Sequence, residues 1–252
     1  MMLGAQFYTL RDYTTNLNDF AETLAKVADI GYRTVQISCT CAFEGGWLAE
    51  QLRKNSLRCV LTHADPVKMR EDPLSVAETH RRFGCEYIGL GYPPGGIPDE
   101  AAYERLRDDF LPVANSFAEN GALLMYHNHN LEFARDSQNR RFIDRLTEDF
   151  TPEQMGFTLD TYWVQAAGGD PIDWIRRLKG RVPCVHLKDM AWDGGIKMAP
   201  IYEGNMNFDG ILAACGDAGT EYLLVEQDDC YGEDPFACLR RSYENLKAKG
   251  LT

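Results

Sequence analysis

The chain predicts the α/β class and a single (β/α)8 TIM barrel, and three observations carry that prediction. Strand-like apolar runs alternate with segments of helical period along the whole length. Four of the runs in the second half break off at residues that bind metals or move protons, at intervals of roughly 25 to 40 residues. The 252 residues match the usual size of one such barrel, so 1–252 reads as one domain.

Eight strand-like runs can be counted: 3–8, 34–38, 58–63, 87–90, 122–127, 155–160, 182–187 and 222–226. After the first, the segment 18–27 sets Phe20, Leu24 and Val27 on one side at helical spacing. Gly31, Gly84, Gly121 and Gly219 each stand where a helical segment gives way to the next strand, the position of a helix C-cap. A doubly wound open sheet would need a glycine-rich phosphate turn. The segment Gly91-Tyr92-Pro93-Pro94-Gly95-Gly96 is too rich in proline for that and reads as a βα loop. The longest insertions, 130–141 and 189–207, follow the fifth and seventh runs and are expected to wall a pocket at the C-terminal face.

The net charge of −12 and isoelectric point near 4.9 exclude nucleic acid and anionic membrane surfaces as natural partners. No leader and no apolar stretch of spanning length is visible, so a cytoplasmic protein with a small, neutral ligand is expected. Assembly into a homo-oligomer is left open. Cys59, Cys85, Cys184 and Cys215 sit inside apolar runs and read as reduced core residues. The lone Cys39-Thr40-Cys41 lacks the second pair that a zinc site needs.

Asp160, His186 and Glu226 end consecutive strand-like runs, so a barrel would bring them together at one rim. Two carboxylates and an imidazole suit one divalent ion, Mn2+ first and Mg2+, Co2+ or Zn2+ next, with positions left for substrate oxygens. His127 and His129 share one side of the fifth strand, giving one possible ligand and one acid/base. Lys188, two residues after His186, faces the same interior, where desolvation would lower its pKa and make it a base or an oxyanion stabiliser. His63 closes the third strand near a substrate hydroxyl, Trp163 offers an aromatic wall, and Glu203 can reach in from its loop. His80 is assigned to a helix surface.

The segments YHNHNLEF (126–133), LDTYWVQAAGGDP (159–171), RVPCVHLKDM (181–190), YEGNMNFDGIL (202–212) and EYLLVEQDD (221–229) resemble the xylose isomerase-like TIM-barrel superfamily, in particular its sugar phosphate isomerase/epimerase and inosose dehydratase-like branch. The resemblance implies a metal held from strands five to eight by Glu, Asp, His and Glu, which carries over to Asp160, His186 and Glu226. On the fifth strand His127 occupies the usual Glu position and His129 that of a catalytic acid/base. Either His127 ligates the ion, or Glu132 reaches back to restore the carboxylate. Gln36 stands where many relatives place a Glu, which weakens an epimerase mechanism with bases on both sugar faces. The implied activity is a metal-dependent sugar or cyclitol isomerase/epimerase working through an enediolate, with a dehydratase or 3-keto-glycoside lyase as the alternative. The endonuclease IV type of the same superfamily uses several zinc ions and many histidines. Five histidines and an acidic surface fit that DNA repair reading poorly, as intact Asp160, His186 and Glu226 do a metal-free binding protein.

Overall fold

A computed structural model describes residues 1–97 and 99–251. Eight parallel strands close into a barrel: β1 (Met2–Gln6), β2 (Thr34–Ile37), β3 (Arg58–His63), β4 (Tyr87–Leu90), β5 (Leu123–His127), β6 (Met155–Asp160), β7 (Cys184–Leu187) and β10 (Tyr222–Val225). All eight expected runs are barrel strands. Their ends differ from expectation by a residue or two, most at β1, where Phe7–Tyr13 turns into a 3-10 helix once Gln6 accepts a bond from Tyr8 N.

The helices wrap the barrel: α1 (Leu17–Ile30), α2 (Gly45–Lys54), α3 (Pro66–Glu71), α4 (Pro73–Arg82), α5 (Glu100–Glu119), α6 (Phe142–Asp149), α7 (Thr161–Ala166), α8 (Pro171–Arg177), α9 (Phe208–Ala218) and α10 (Pro235–Ala248). Phe20, Leu24 and Val27 of α1 are buried against the strands, as their spacing requires. Gly219 ends α9 at φ 85°, a conformation that L side chains resist. The main core lies between strands and helices. A second cluster of Leu61, Met125, Cys184, Tyr222 and Leu224 plugs the barrel interior below the mouth.

Two expectations fail here. The 189–207 insertion holds an antiparallel hairpin, β8 (Asp189–Trp192) with β9 (Ile196–Ala199). Asp189 is buried, and its carboxylate accepts from the backbone N–H groups of Met190, Tyr202, Gly204 and Met206, tying the segment to itself. In 130–141, Asp136 binds the Arg140 and Gln138 amides and pairs with Arg140 and Arg145. Neither insertion lines the large cavity at the barrel mouth. Its walls come from the shorter connections after β2, β3 and β4. The second failure is His80, which is buried. Its Nδ1 lies 2.7 Å from the Val76 carbonyl and its Nε2 lies 2.8 Å from Thr62 Oγ1 on the outer side of β3.

Candidate metal centre and its surroundings

Strand register decides which side chains meet. Asp160 and His186 are direct partners across β6 and β7, and Glu226 follows β10 with its N–H bonded to the Leu187 carbonyl. One ligand atom each from His127, Asp160, His186 and Glu226 lies within 4.8 Å of all the others. All four residues are buried. His186 Nδ1 stands 2.8 Å from Glu226 Oε2 and 3.7 Å from Asp160 Oδ2.

Those three atoms have no aligned hydrogen bond. The Lys188 ammonium stands 3.1 Å from both carboxylate oxygens, yet none of the three atoms completes an aligned hydrogen bond, so the point on which they converge stays open to a further positive charge. A set of two imidazoles and two carboxylates fits a divalent cation of borderline hardness, so the residues present suit the expected metal. The opposite wall holds two ligands in place. Gln6 Nε2 donates to Glu226 Oε1 at 2.7 Å, and Gln36 Oε1 accepts from His186 Nε2 at 2.6 Å. With the proton on Nε2, the Nδ1 lone pair of His186 faces the group. Gln6 and Gln36 are themselves register partners on β1 and β2.

Lys188 Nζ reaches Asp160 Oδ2 and Glu226 Oε2, each at 3.1 Å, and Asp228 Oδ1 at 2.8 Å. Burial alone would lower its pKa, as expected from the sequence, but Asp160, Glu226 and Asp228 together outweigh burial and raise it. That direction is opposite to the lowering expected from the sequence, and of the two expected roles, base or oxyanion stabiliser, it favours the second. Burial drives His129 down to about 4 and His63 down to about 3, so both are neutral imidazoles. Burial and then Glu226 push Asp228 up to about 7.

His129 packs 4.6 Å from the His127 ring and 5.5 Å from Trp163, both measured between ring centroids. Trp163 lines the cavity with its Nε1 buried and unbonded. His63 lines it too, with Nδ1 3.0 Å from Ser38 Oγ. A Cβ at Gly91 would lie 2.6 Å from His63 Nδ1, so glycine lets the chain leaving β4 pass this close to the ring.

Residues 24–248 match the family described as xylose isomerase-like TIM barrel. The chain belongs to that family. Inosose dehydratase from Geobacillus kaustophilus is 24% identical over 195 residues, 68% of this chain and 62% of that protein, so the match reaches less than two thirds of its length. A sugar phosphate isomerase/epimerase from Parabacteroides distasonis superposes with a TM-score of 0.83 at 22% identity, covering 98% of this chain and 94% of that one. An L-ribulose 3-epimerase structure gives 0.77 at 15% identity, with 98% and 93% covered. These structural likenesses establish the fold.

Within this xylose isomerase-like barrel, two expected site residues stand elsewhere. Glu132 is fully buried, accepting from Tyr126 Oη at 2.9 Å and from the His129 amide at 2.7 Å, which braces the turn after β5. It lies outside the four-residue group, and burial lifts its pKa to about 7. Glu203 pairs with Arg241 of α10 at 3.0 Å and does not line the cavity. Sequence reasoning passed over Asp228, Gln6 and Ser38. Asp228 was within reach: two residues past Glu226, it shares that residue's side of an extended segment.

Proposed function

We propose that the protein is a divalent-metal-dependent enzyme that removes a proton α to a carbonyl of a sugar or cyclitol, and that the resulting enediolate loses a β substituent. The convergence of His127, Asp160, His186 and Glu226, with three ligand atoms lacking aligned hydrogen bonds, carries this reading. A divalent cation held there supplies the positive charge that polarises a carbonyl oxygen. His129, neutral and at the cavity wall, takes the α proton. The Lys188 ammonium stabilises developing negative charge beside it. Trp163 and Tyr92 pack against His129, with ring centroids 5.5 and 5.1 Å away, and fix its orientation at the cavity wall.

Elimination is favoured over epimerisation because inversion needs proton carriers on both sugar faces. The wall opposite His129 and Lys188 offers the amides of Gln6 and Gln36, which do not exchange protons in this way. The dehydratase names of the sequence relatives point the same way. Epimerisation remains the second reading, with the neutral His63 imidazole as the base on the other face. No helix among the described residues is long and apolar enough to cross a membrane.

The test is proton exchange by NMR in D2O with a panel of keto-sugars and inososes, using Mn2+-loaded and chelator-treated protein. Metal-dependent deuterium incorporation at the α carbon, or release of the β substituent, is the expected result. Neither event with any member of the panel would sink the proposal.

A further inference from the structure

The cavity at the mouth measures about 1150 Å3. Pockets that enclose whole drug-sized ligands span roughly 300–1,000 Å3, so a single sugar ring over the metal centre occupies only part of this one. The rest is an arm that leaves the centre past Ser38 and runs between the 39–45 segment and the helices α3 and α4. Where α2 begins the chain packs closely on α4, since a Cβ on Gly45 would stand 3.1 Å from the Thr79 carbonyl and 3.5 Å from Arg82 Cβ, while Glu44, Asp72 and Ser75 leave the arm open to solvent along its side.

Phe43 and Phe83 line the arm, edge to face with ring centroids 6.3 Å apart, and Phe43 is backed by Phe20 at 5.9 Å. Ala42, Ala64, Pro66 and Val76 add apolar surface. Around this strip stand four carboxylates, Glu44, Asp65, Glu71 and Asp72, against two cations, Lys68 and Arg82. That excess of negative charge repels a phosphate or any other anion, while flat aromatic surface favours an uncharged apolar group.

We propose that this arm is a leaving-group subsite, and that the substrate is a keto-sugar carrying an uncharged aryl or apolar substituent. The inference rests on the elimination reading above and names its leaving group. In the balanced step the α C–H bond breaks with its proton passing to His129, and the electron pair forms a C=C bond. The bond to the substituent oxygen breaks, and that oxygen takes up the proton His129 removed, so phenol or alcohol departs, His129 returns to its neutral form and no oxidant or reductant is consumed.

The experiment is calorimetric titration of the Mn2+-loaded protein with matched phenyl and methyl glycosides of several neutral sugars. Phenyl glycosides should bind at least about tenfold more tightly than their methyl counterparts. The exposed Ser75 lines the arm, and Ser75→Trp, which fills it from the surface, should erase that preference; Phe43→Ala should reduce it. Should Phe43→Ala fail to fold, the Ser75 variant decides. Equal or undetectable binding of phenyl and methyl glycosides on every ring, or a preference that survives Ser75→Trp, overturns the subsite. Exchange of free keto-sugars in D2O without any phenyl preference would refute the subsite alone. A phenyl preference without exchange or release would refute the elimination reading instead.

Discussion

Residue by residue, the centre separates groups that could hold a cation from groups that position those groups. Asp160→Ala, Glu226→Ala and His127→Ala should each purify with little metal, while Glu132→Ala should keep a stoichiometric ion, because its carboxylate serves Tyr126 and the His129 amide. Metal analysis after dialysis distinguishes them. Retention by the His127 variant together with loss from the Glu132 variant would reverse the ligand assignment. Gln36→Leu deletes the acceptor that fixes the His186 tautomer, and should weaken metal affinity by about 10- to 100-fold, read by competition with a chelating dye. His129→Ala should keep the metal but lower kcat by about 10²- to 10⁴-fold, and Lys188→Met by about 10²- to 10³-fold. A His129 variant exchanging the α proton at the native rate would place the base elsewhere.

Among the elements, the β8–β9 hairpin is the part most dependent on one side chain. Four backbone N–H groups converge on the Asp189 carboxylate, at 2.8, 3.0, 2.9 and 3.3 Å. Bonds to a charged acceptor contribute about 1.5–3 kcal/mol each, and hydration recovers part of that when they are lost. Asp189→Ala should therefore cost about 3 kcal/mol and lower Tm by roughly 6–12 °C at this chain length. Because the hairpin does not line the cavity, metal content in that variant should match the parent. A Tm within 2–3 °C of the parent, by calorimetry on the metal-free protein, would mean the carboxylate is not what holds the segment.

For the molecule as a whole, buried titratable groups oppose one another in acid. Burial depresses His63, His127, His129 and His80, so these take up fewer protons folded than unfolded, and each withdraws stability as pH falls below about 6.5. Burial raises Glu132 and Asp228 to about 7, and these do the reverse, withdrawing stability as pH rises from about 4.5 or 4 towards 7. His80 stands apart from the four-residue metal group and isolates one term. The stability difference between the parent and His80→Gln should shrink as pH drops from 7 to 5, by up to about 1.4 kcal/mol per unit below 6.5. Urea unfolding at fixed pH values measures it, and a difference independent of pH would mean that His80 titrates normally in the fold.

Most of the architecture was legible in the sequence because a parallel barrel writes itself locally. Each strand is a short apolar run, each helix has one apolar stripe, and glycine marks the return. The ends of β5, β6, β7 and β10 placed His127, Asp160, His186 and Glu226 at one rim for the same reason: residues at a barrel mouth follow directly on buried strands. What the sequence left open turned on partners distant in the chain. His127 rather than Glu132 joins the group because Glu132 finds Tyr126 Oη and the His129 amide first. Lys188 keeps its proton because three carboxylates from β6 and the end of β10 surround it, and no local rule places them there. Glu203 is drawn outward to Arg241, and Gln36 meets His186 from across the barrel, 150 positions away in the chain. Periodicity and strand ends are properties of neighbouring residues, whereas pKa and ligand geometry are sums over whatever the closed barrel brings within a few ångströms.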